Sequence, residues 1–75
     1  MNELTKKVIA ITIEDLGPAA ERLVLRQIRS HLKKDPADLT VADLPELAKW
    51  IELSAGMLIN VETGKAMADR VRTMR

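Results

Sequence analysis

Four basic side chains are spaced so that they would share one face of a helix, since Arg22, Arg26, Arg29 and Lys33 stand at i, i+4, i+7 and i+11. Arginine binds carboxylates and phosphates through paired hydrogen bonds, so this basic line suits an anionic partner. Like charges one turn apart repel each other by roughly 0.3 kcal/mol. Acidic side chains of a neighbouring helix, a second subunit or an anionic ligand would offset that repulsion.

The charges of the chain are segregated along its length. The net charge is +1, but residues 17–34 carry five basic side chains and one acidic, and residues 35–60 carry one basic and five acidic. A near-neutral total therefore conceals two opposed patches. The simplest interpretation is that the basic line is a solvated face partly paired with the acidic segment. An acidic protein partner and a nucleic acid are the alternatives.

The apolar residues of the third predicted helix cover a wide arc. One face is predicted to lie in the core and holds Leu44, Leu47, Ala48, Ile51, Ala55, Leu58 and Ile59. Trp50, Leu53 and Met57 extend this arc around a flank, and an arc this wide predicts a helix covered on two sides. The simplest interpretation is a central core helix. The functional one is a contact surface for a partner, because Trp and Met are enriched at such surfaces.

Residues for enzymatic chemistry are sparse. There is no Cys, the three Gly are isolated, and a single His, His31, lies near a predicted helix end. Asp35, Asp38 and Asp43 surround a turn and a helix start, where Asp commonly caps the backbone. We therefore assign no catalytic, cofactor-binding or metal-binding residue and predict that the chain is not an enzyme.

A partial match to the helix-turn-helix pattern covers residues 47–58. The position that normally requires Gly in the turn is Glu52, so an unbroken helix is the better prediction. The pI of about 8.1 lies below the range typical of nucleic-acid-binding domains. The chain also lacks aromatic residues between the basic ones to stack on bases. Nucleic-acid binding through the basic line is thus an alternative to protein binding.

Helix boundary signals divide the 75 residues into one all-α domain, a compact bundle of four helices at about 3–15, 18–34, 41–59 and 61–74. Gly17-Pro18 and Asp35-Pro36 break the chain, Thr40 and Asp43 have capping-box spacing, and Asn60 can cap the last helix. Residues 8–13 are rich in β-branched side chains and could form a strand, but their apolar spacing favours a helix.

The size and composition of the chain also bear on its partners. A domain this small buries only about 60% of its unfolded surface, which makes self-association a reasonable way to bury more. No apolar run is long enough to cross a membrane, and no secretory signal is recognisable. The cytoplasm is therefore the expected compartment.

Two stretches, Leu16-Gly17-Pro18-Ala19-Ala20 and Asp43-Leu44-Pro45-Glu46-Leu47-Ala48, resemble a pattern found in small bacterial helical domains. Such domains stand alone or beside signalling domains. The resemblance covers residues 16 to about 72 and implies a regulatory or scaffolding module. Its motifs are helix boundaries, so it implies no functional residue.

Together these observations predict a protein–protein interaction module without enzymatic activity. Trp50, Leu53 and Met57 would be its apolar anchors and the basic line its charged rim. The partner would be another protein or a second copy of the chain, with neither favoured. DNA or RNA binding and a purely structural domain remain the alternatives.

Overall fold

Four α-helices account for most of the chain. The computed structural model describes residues 1–74, and within them the helices are α1 (Glu3–Leu16), α2 (Ala19–Ser30), α3 (Leu44–Leu58) and α4 (Val61–Arg72). No strand occurs among these residues. The all-α bundle of four helices is therefore confirmed.

Helix α1 contains the β-branched residues 8–13, for which the sequence also allowed a strand. Thr5, Val8 and Thr12 recur at helical spacing and are buried against the bundle. The hydroxyl of Thr5 donates to the carbonyl oxygen of Pro36 at 2.7 Å, and that of Thr12 donates to the carbonyl oxygen of Val8 at 3.2 Å. Both buried hydroxyls are thereby satisfied inside a helix.

Helix α2 ends four residues earlier than predicted. It stops at Ser30 instead of about residue 34, because Lys33 adopts a left-handed backbone conformation with φ of 58°. The backbone N–H of Lys34 then turns back to the carbonyl oxygen of Ile28 at 3.2 Å. Lys33 consequently lies beyond the helix, and the prediction of four cations along one helix is wrong.

Helix α3 begins later than predicted but runs without interruption. Residues 41–43 form a short 3-10 turn, and the α-helix starts at Leu44. The helix continues past Glu52 to Leu58, so the turn of a helix-turn-helix motif is absent from this segment. Asn60 caps α4 as predicted, since its side-chain oxygen accepts from the N–H of Thr63 at 2.7 Å.

The closest helix contact joins α3 to α4. A Cβ atom placed on Gly64 would lie 2.7 Å from the carbonyl oxygen of Glu52 and 2.8 Å from the backbone nitrogen of Gly56. The two backbones can approach this far only because Gly64 carries no side chain. Gly56 thus faces α4.

The core lies where the four helices meet. Each helix contacts two others, with α1 against α2 and α4, and α3 against α2 and α4. The fully buried side chains come from all four and include Val8, Val24, Ile28, Leu44, Leu47, Ile51, Met67 and Val71. This arrangement leaves one side of α2 and the last turn of α3 at the surface.

An ion pair closes the connection between α2 and α3. Lys34 Nζ lies 2.7 Å from Asp43 Oδ2, which also accepts from the N–H of Thr40 at 2.9 Å and from its hydroxyl at 3.0 Å. Burial raises the pKa of Asp43, but the hydrogen bonds from Lys34 and Thr40 and the charge of Lys34 outweigh it. The pKa of Asp43 is therefore lowered from its ordinary value.

We expect this pKa shift to make stability depend on pH. A lowered folded-state pKa means that the charged Asp43 stabilises the fold above its unfolded pKa, near 4, and that this stabilisation is lost as the pH falls through the folded-state pKa. Asp43→Asn should cost about 1 kcal/mol at neutral pH, and the difference from wild type should shrink below about pH 4. Urea unfolding at about pH 7, 5 and 3 measures both effects.

The control for this prediction is Asp38→Asn. Asp38 is exposed and makes no salt bridge within residues 1–74. The control should match wild type at neutral pH. Equal unfolding free energies for the two variants at every pH would show that the Lys34–Asp43 pair contributes nothing.

Candidate functional site

The basic line predicted from the sequence is only partly present. Arg22, Arg26 and Arg29 are exposed on α2, and Lys33 is exposed beyond its end. None of the four takes part in an ion pair with another residue in 1–74. The expected pairing of the basic line with the acidic segment is therefore not found within that range, because the ion pair between the two segments joins Asp43 to Lys34, which is outside the line. No ion pair within residues 1–74 offsets the repulsion among the arginines.

The three predicted apolar anchors differ in how far they are exposed. Trp50 is half-buried, and its ring stacks on that of His31 with centroids 3.8 Å apart and an interplanar angle of 11°. Lys49 Nζ lies 5.3 Å from the centroid of the indole. Leu53 is 51% exposed and Met57 89% exposed. The ring of Trp50 is thus partly covered by its own chain, whereas Leu53 and Met57 have at least half of their surface exposed to solvent.

Two residues that the helical projection assigned to the core lie at the surface. Leu58 is 66% exposed and Ile59 is also exposed, because α3 ends here and the chain turns at once into α4. Val61, the first residue of α4, is exposed beside them. We call the exposed apolar group at this corner the α3-end patch, and it consists of Leu53, Met57, Leu58, Ile59 and Val61.

A groove lies between α2 and α3 and opens onto this patch. Its volume is about 600 Å³, and we call it the α2–α3 groove. Met57 and Leu58 belong to both the groove and the patch, so the two form one continuous surface. The lining residues are Ala19, Arg22, Leu23, Arg26, Gln27, His31, Ser54, Met57 and Leu58. None of them carries a carboxylate.

No protein-family model, curated protein or solved structure matches this chain. Its function is therefore inferred from its surface. Residues 1–74 contain no group of three or more His, Cys, Asp or Glu side chains that could hold a metal ion. Across the same residues, no helix is both long and apolar enough to span a bilayer.

Gln27 is a polar residue of the groove that was not among the predicted site residues. Its side chain is 5% exposed, and its oxygen Oε1 is buried without a hydrogen-bond donor. Buried polar atoms are nearly always paired, so this acceptor is unusual. A sequence signal was present, because Gln27 interrupts an otherwise apolar helical pattern formed by Ala20, Leu23, Val24 and Ile28.

Proposed function

We propose that this chain is a non-enzymatic protein-interaction module, acting as a regulatory or scaffolding element. The observation that carries the proposal is the α3-end patch together with the arginines beside it. Contiguous exposed apolar surface on a small protein commonly marks a binding site. Arg22 and Arg26 supply a polar border, which is the usual anatomy of an interface.

The side chains of the patch add little to the fold of the single chain. Met57, Leu58 and Val61 are 89%, 66% and 73% exposed. A partner that covered them would remove apolar area from water at roughly 25 cal/mol per Å². The same side chains would thereby supply binding affinity, and the arginines would favour partners of complementary charge. The cytoplasm, expected from the sequence, stays a prediction.

Nucleic-acid binding is less well supported by the same surface. Arg22, Arg26 and Arg29 are exposed and could meet phosphates. However, α3 has no helix-turn-helix turn, and the single Trp is engaged in a stack with His31. The charged phosphate backbone of a nucleic acid also offers no apolar surface to cover the α3-end patch. We therefore keep DNA or RNA binding as an outcome of the experiments.

Substitution of Met57 by Glu should abolish partner binding without unfolding the protein. Met57 is almost wholly exposed, so a charge there is tolerated by the fold but opposes burial in an interface. Ile13→Glu is the matched control, because Ile13 is a 48% exposed apolar residue on α1. Affinity capture with immobilised wild type and both variants, quantified by mass spectrometry, compares the bound proteins.

Proteins bound by wild type and by Ile13→Glu, but lost from Met57→Glu, would support the proposal. Sedimentation equilibrium tests the second copy as partner, since a dimer would have twice the 8.4 kDa mass of the chain and should dissociate in Met57→Glu. A monomeric wild type whose captured proteins are the same for all three chains would contradict the proposal.

A further inference from the structure

We propose that the α2–α3 groove binds an amphipathic helical segment of another protein, with carboxylates spaced one turn apart on the flank that faces Arg22 and Arg26. This inference rests on the proposed function and adds the chemistry of the partner. It joins three features of one surface: an apolar groove, two arginines without ion-pair partners and a buried acceptor without a donor.

The shape of the groove fits a helix of a few turns. Along α2 the lining runs from Ala19 to His31, a length of about 18 Å at 1.5 Å per residue. Leu23, Met57 and Leu58 supply the apolar contacts. Helices that bind in grooves present apolar residues at i, i+3 or i+4, and i+7, a row about 10 Å long that fits within this length. The groove therefore accommodates one apolar row of a partner helix.

The charges of the groove select an acidic partner. Arg22 and Arg26 are exposed, lie one turn apart on α2 and make no ion pair within residues 1–74. Two carboxylates at i and i+4 of a bound helix repeat the same spacing, about 6 Å along the axis. Each arginine can then form the paired hydrogen bonds that guanidinium groups make with carboxylates. Binding also offsets the repulsion between the two cations.

A second copy of the chain fits this groove poorly. In a two-fold dimer, only the residues at the symmetry axis meet their own copies. The groove contains two arginines but no Asp or Glu, so a dimer with this groove at its axis would set cations against cations. A nucleic acid would pair with the arginines but would not cover Met57 or Leu58, and no Trp, Tyr or Phe lines the groove to stack on bases.

Gln27 adds an unsatisfied polar group at the wall of the groove. Its oxygen Oε1 is buried, accepts no hydrogen bond and belongs to a residue that lines the groove. If the Gln27 side chain turns its oxygen toward the groove, a hydroxyl side chain or the N-terminus of a bound helix can supply the missing donor. The free chain thus leaves unsatisfied a group that the complex can satisfy.

The test uses three labelled peptides of about 14 residues, long enough for four helical turns. All share one row of Leu at i, i+3, i+4 and i+7 and one Ser. They differ only in one pair of residues, which stand four positions apart on the flank of the Leu row and are both Glu, both Gln or both Lys. Fluorescence anisotropy with the full chain should show about tenfold tighter binding of the Glu peptide than of the Gln peptide, and the weakest binding for the Lys peptide. The difference should shrink at about 0.5 M NaCl.

Charge reversal on the protein should invert this order. Arg22→Glu with Arg26→Glu should lose the preference for the Glu peptide and bind the Lys peptide most tightly. Lys7→Glu with Lys65→Glu is the matched control, because it changes the net charge equally at two exposed positions outside the groove. The control should keep the order of the wild type, and circular dichroism should show that both double variants are folded.

The outcomes separate this inference from the function on which it rests. If all three peptides bind equally and Met57→Glu abolishes their binding, the preference for an acidic partner is refuted. The proposal of an apolar interaction surface would then still stand. If none of the peptides binds, the assignment of the groove as a helix-binding site is refuted. The proposed function would still be decided by the capture experiment. Duplex DNA that binds through Arg22 and Arg26 while the Glu peptide does not would replace the protein partner with a nucleic acid.

Discussion

Replacement of Gly64 by Ala should lower the free energy of unfolding by about 3 kcal/mol, a large share of the total for a domain of this size. The added Cβ would lie 2.7 Å from the carbonyl oxygen of Glu52 and 2.8 Å from the nitrogen of Gly56. Both are backbone atoms, so no side chain can rotate away to make room. The helices α3 and α4 must move apart, which loosens the core between them.

Gly56→Ala provides the matched control for this prediction. A Cβ at that position meets only the Cα of Val61, at 3.8 Å, an ordinary van der Waals distance. Alanine has the higher helix propensity, so the variant should be as stable as wild type or more stable by up to about 1 kcal/mol. Urea unfolding followed by circular dichroism measures both variants. An unfolding free energy for Gly64→Ala as high as that for Gly56→Ala would mean that the helices do not pack as closely as described.

A second large effect should distinguish two leucines of α3. Leu47 is fully buried in the core, and Leu47→Ala should cost between about 2 and 5 kcal/mol through lost burial and the cavity that remains. Leu53 is 51% exposed, and Leu53→Ala should change the unfolding free energy by about 0.5 kcal/mol or less. The same chemical change on the same helix therefore separates a core position from a surface position.

The measurement for this pair is again equilibrium unfolding in urea. A small effect at Leu53 would show that the fold does not depend on this side chain. A residue of the interaction surface must meet that condition. A loss at Leu53 as large as that at Leu47 would contradict the assignment of Leu53 to the α3-end patch.

The helix content and most helix starts could be predicted from the sequence, because they depend on interactions between residues close together in the chain. Asn60 caps α4, the pair Thr40 and Asp43 caps the turn before α3, and Gly17 takes the positive φ that ends α1. These signals act within a few residues of the chain. The burial of Thr12 also suits a helix, because its hydroxyl bonds to the carbonyl oxygen of Val8 one turn earlier, whereas the hydroxyl of Thr5 depends on a tertiary contact with Pro36.

The helix ends depended on tertiary contacts that local signals do not reveal. Asp35-Pro36 predicted a break near residue 34, but α2 ends at Ser30, and the chain turns at Lys33 in a way that brings Lys34 to Asp43. A lysine gives no sign in the sequence of a left-handed backbone conformation. The end of the basic line was therefore placed incorrectly.

The prediction of the buried face of α3 was wrong at the C-terminal end of the helix. It assumed that the neighbouring helices cover this face along its whole length. Leu58 and Ile59 have the spacing of core residues, but the chain reverses at Asn60 and leaves them at the surface. Gly56 and Gly64 lie four residues on either side of Asn60, so an antiparallel hairpin brings them together. That symmetry was visible in the sequence and would have predicted the close approach.

The candidate site could be predicted only in part. Arg22, Arg26, Leu53 and Met57 were identified from spacing and residue type, since charge and hydropathy patterns reveal the exposed chemistry of a helix. The groove itself requires the relative placement of α2 and α3, which no local pattern gives. Gln27 became significant only once its buried oxygen was found without a donor.

The most direct test of the central claim is a titration of the ¹⁵N-labelled chain with the Glu peptide, followed by two-dimensional NMR. Shift changes should concentrate on amides of residues 19–31 and 53–61, with the guanidinium signals of Arg22 and Arg26 and the indole signal of Trp50 among them. Changes centred on α1 or on the outer face of α4, or none at saturating peptide, would contradict the assignment of the α2–α3 groove and α3-end patch as the binding surface.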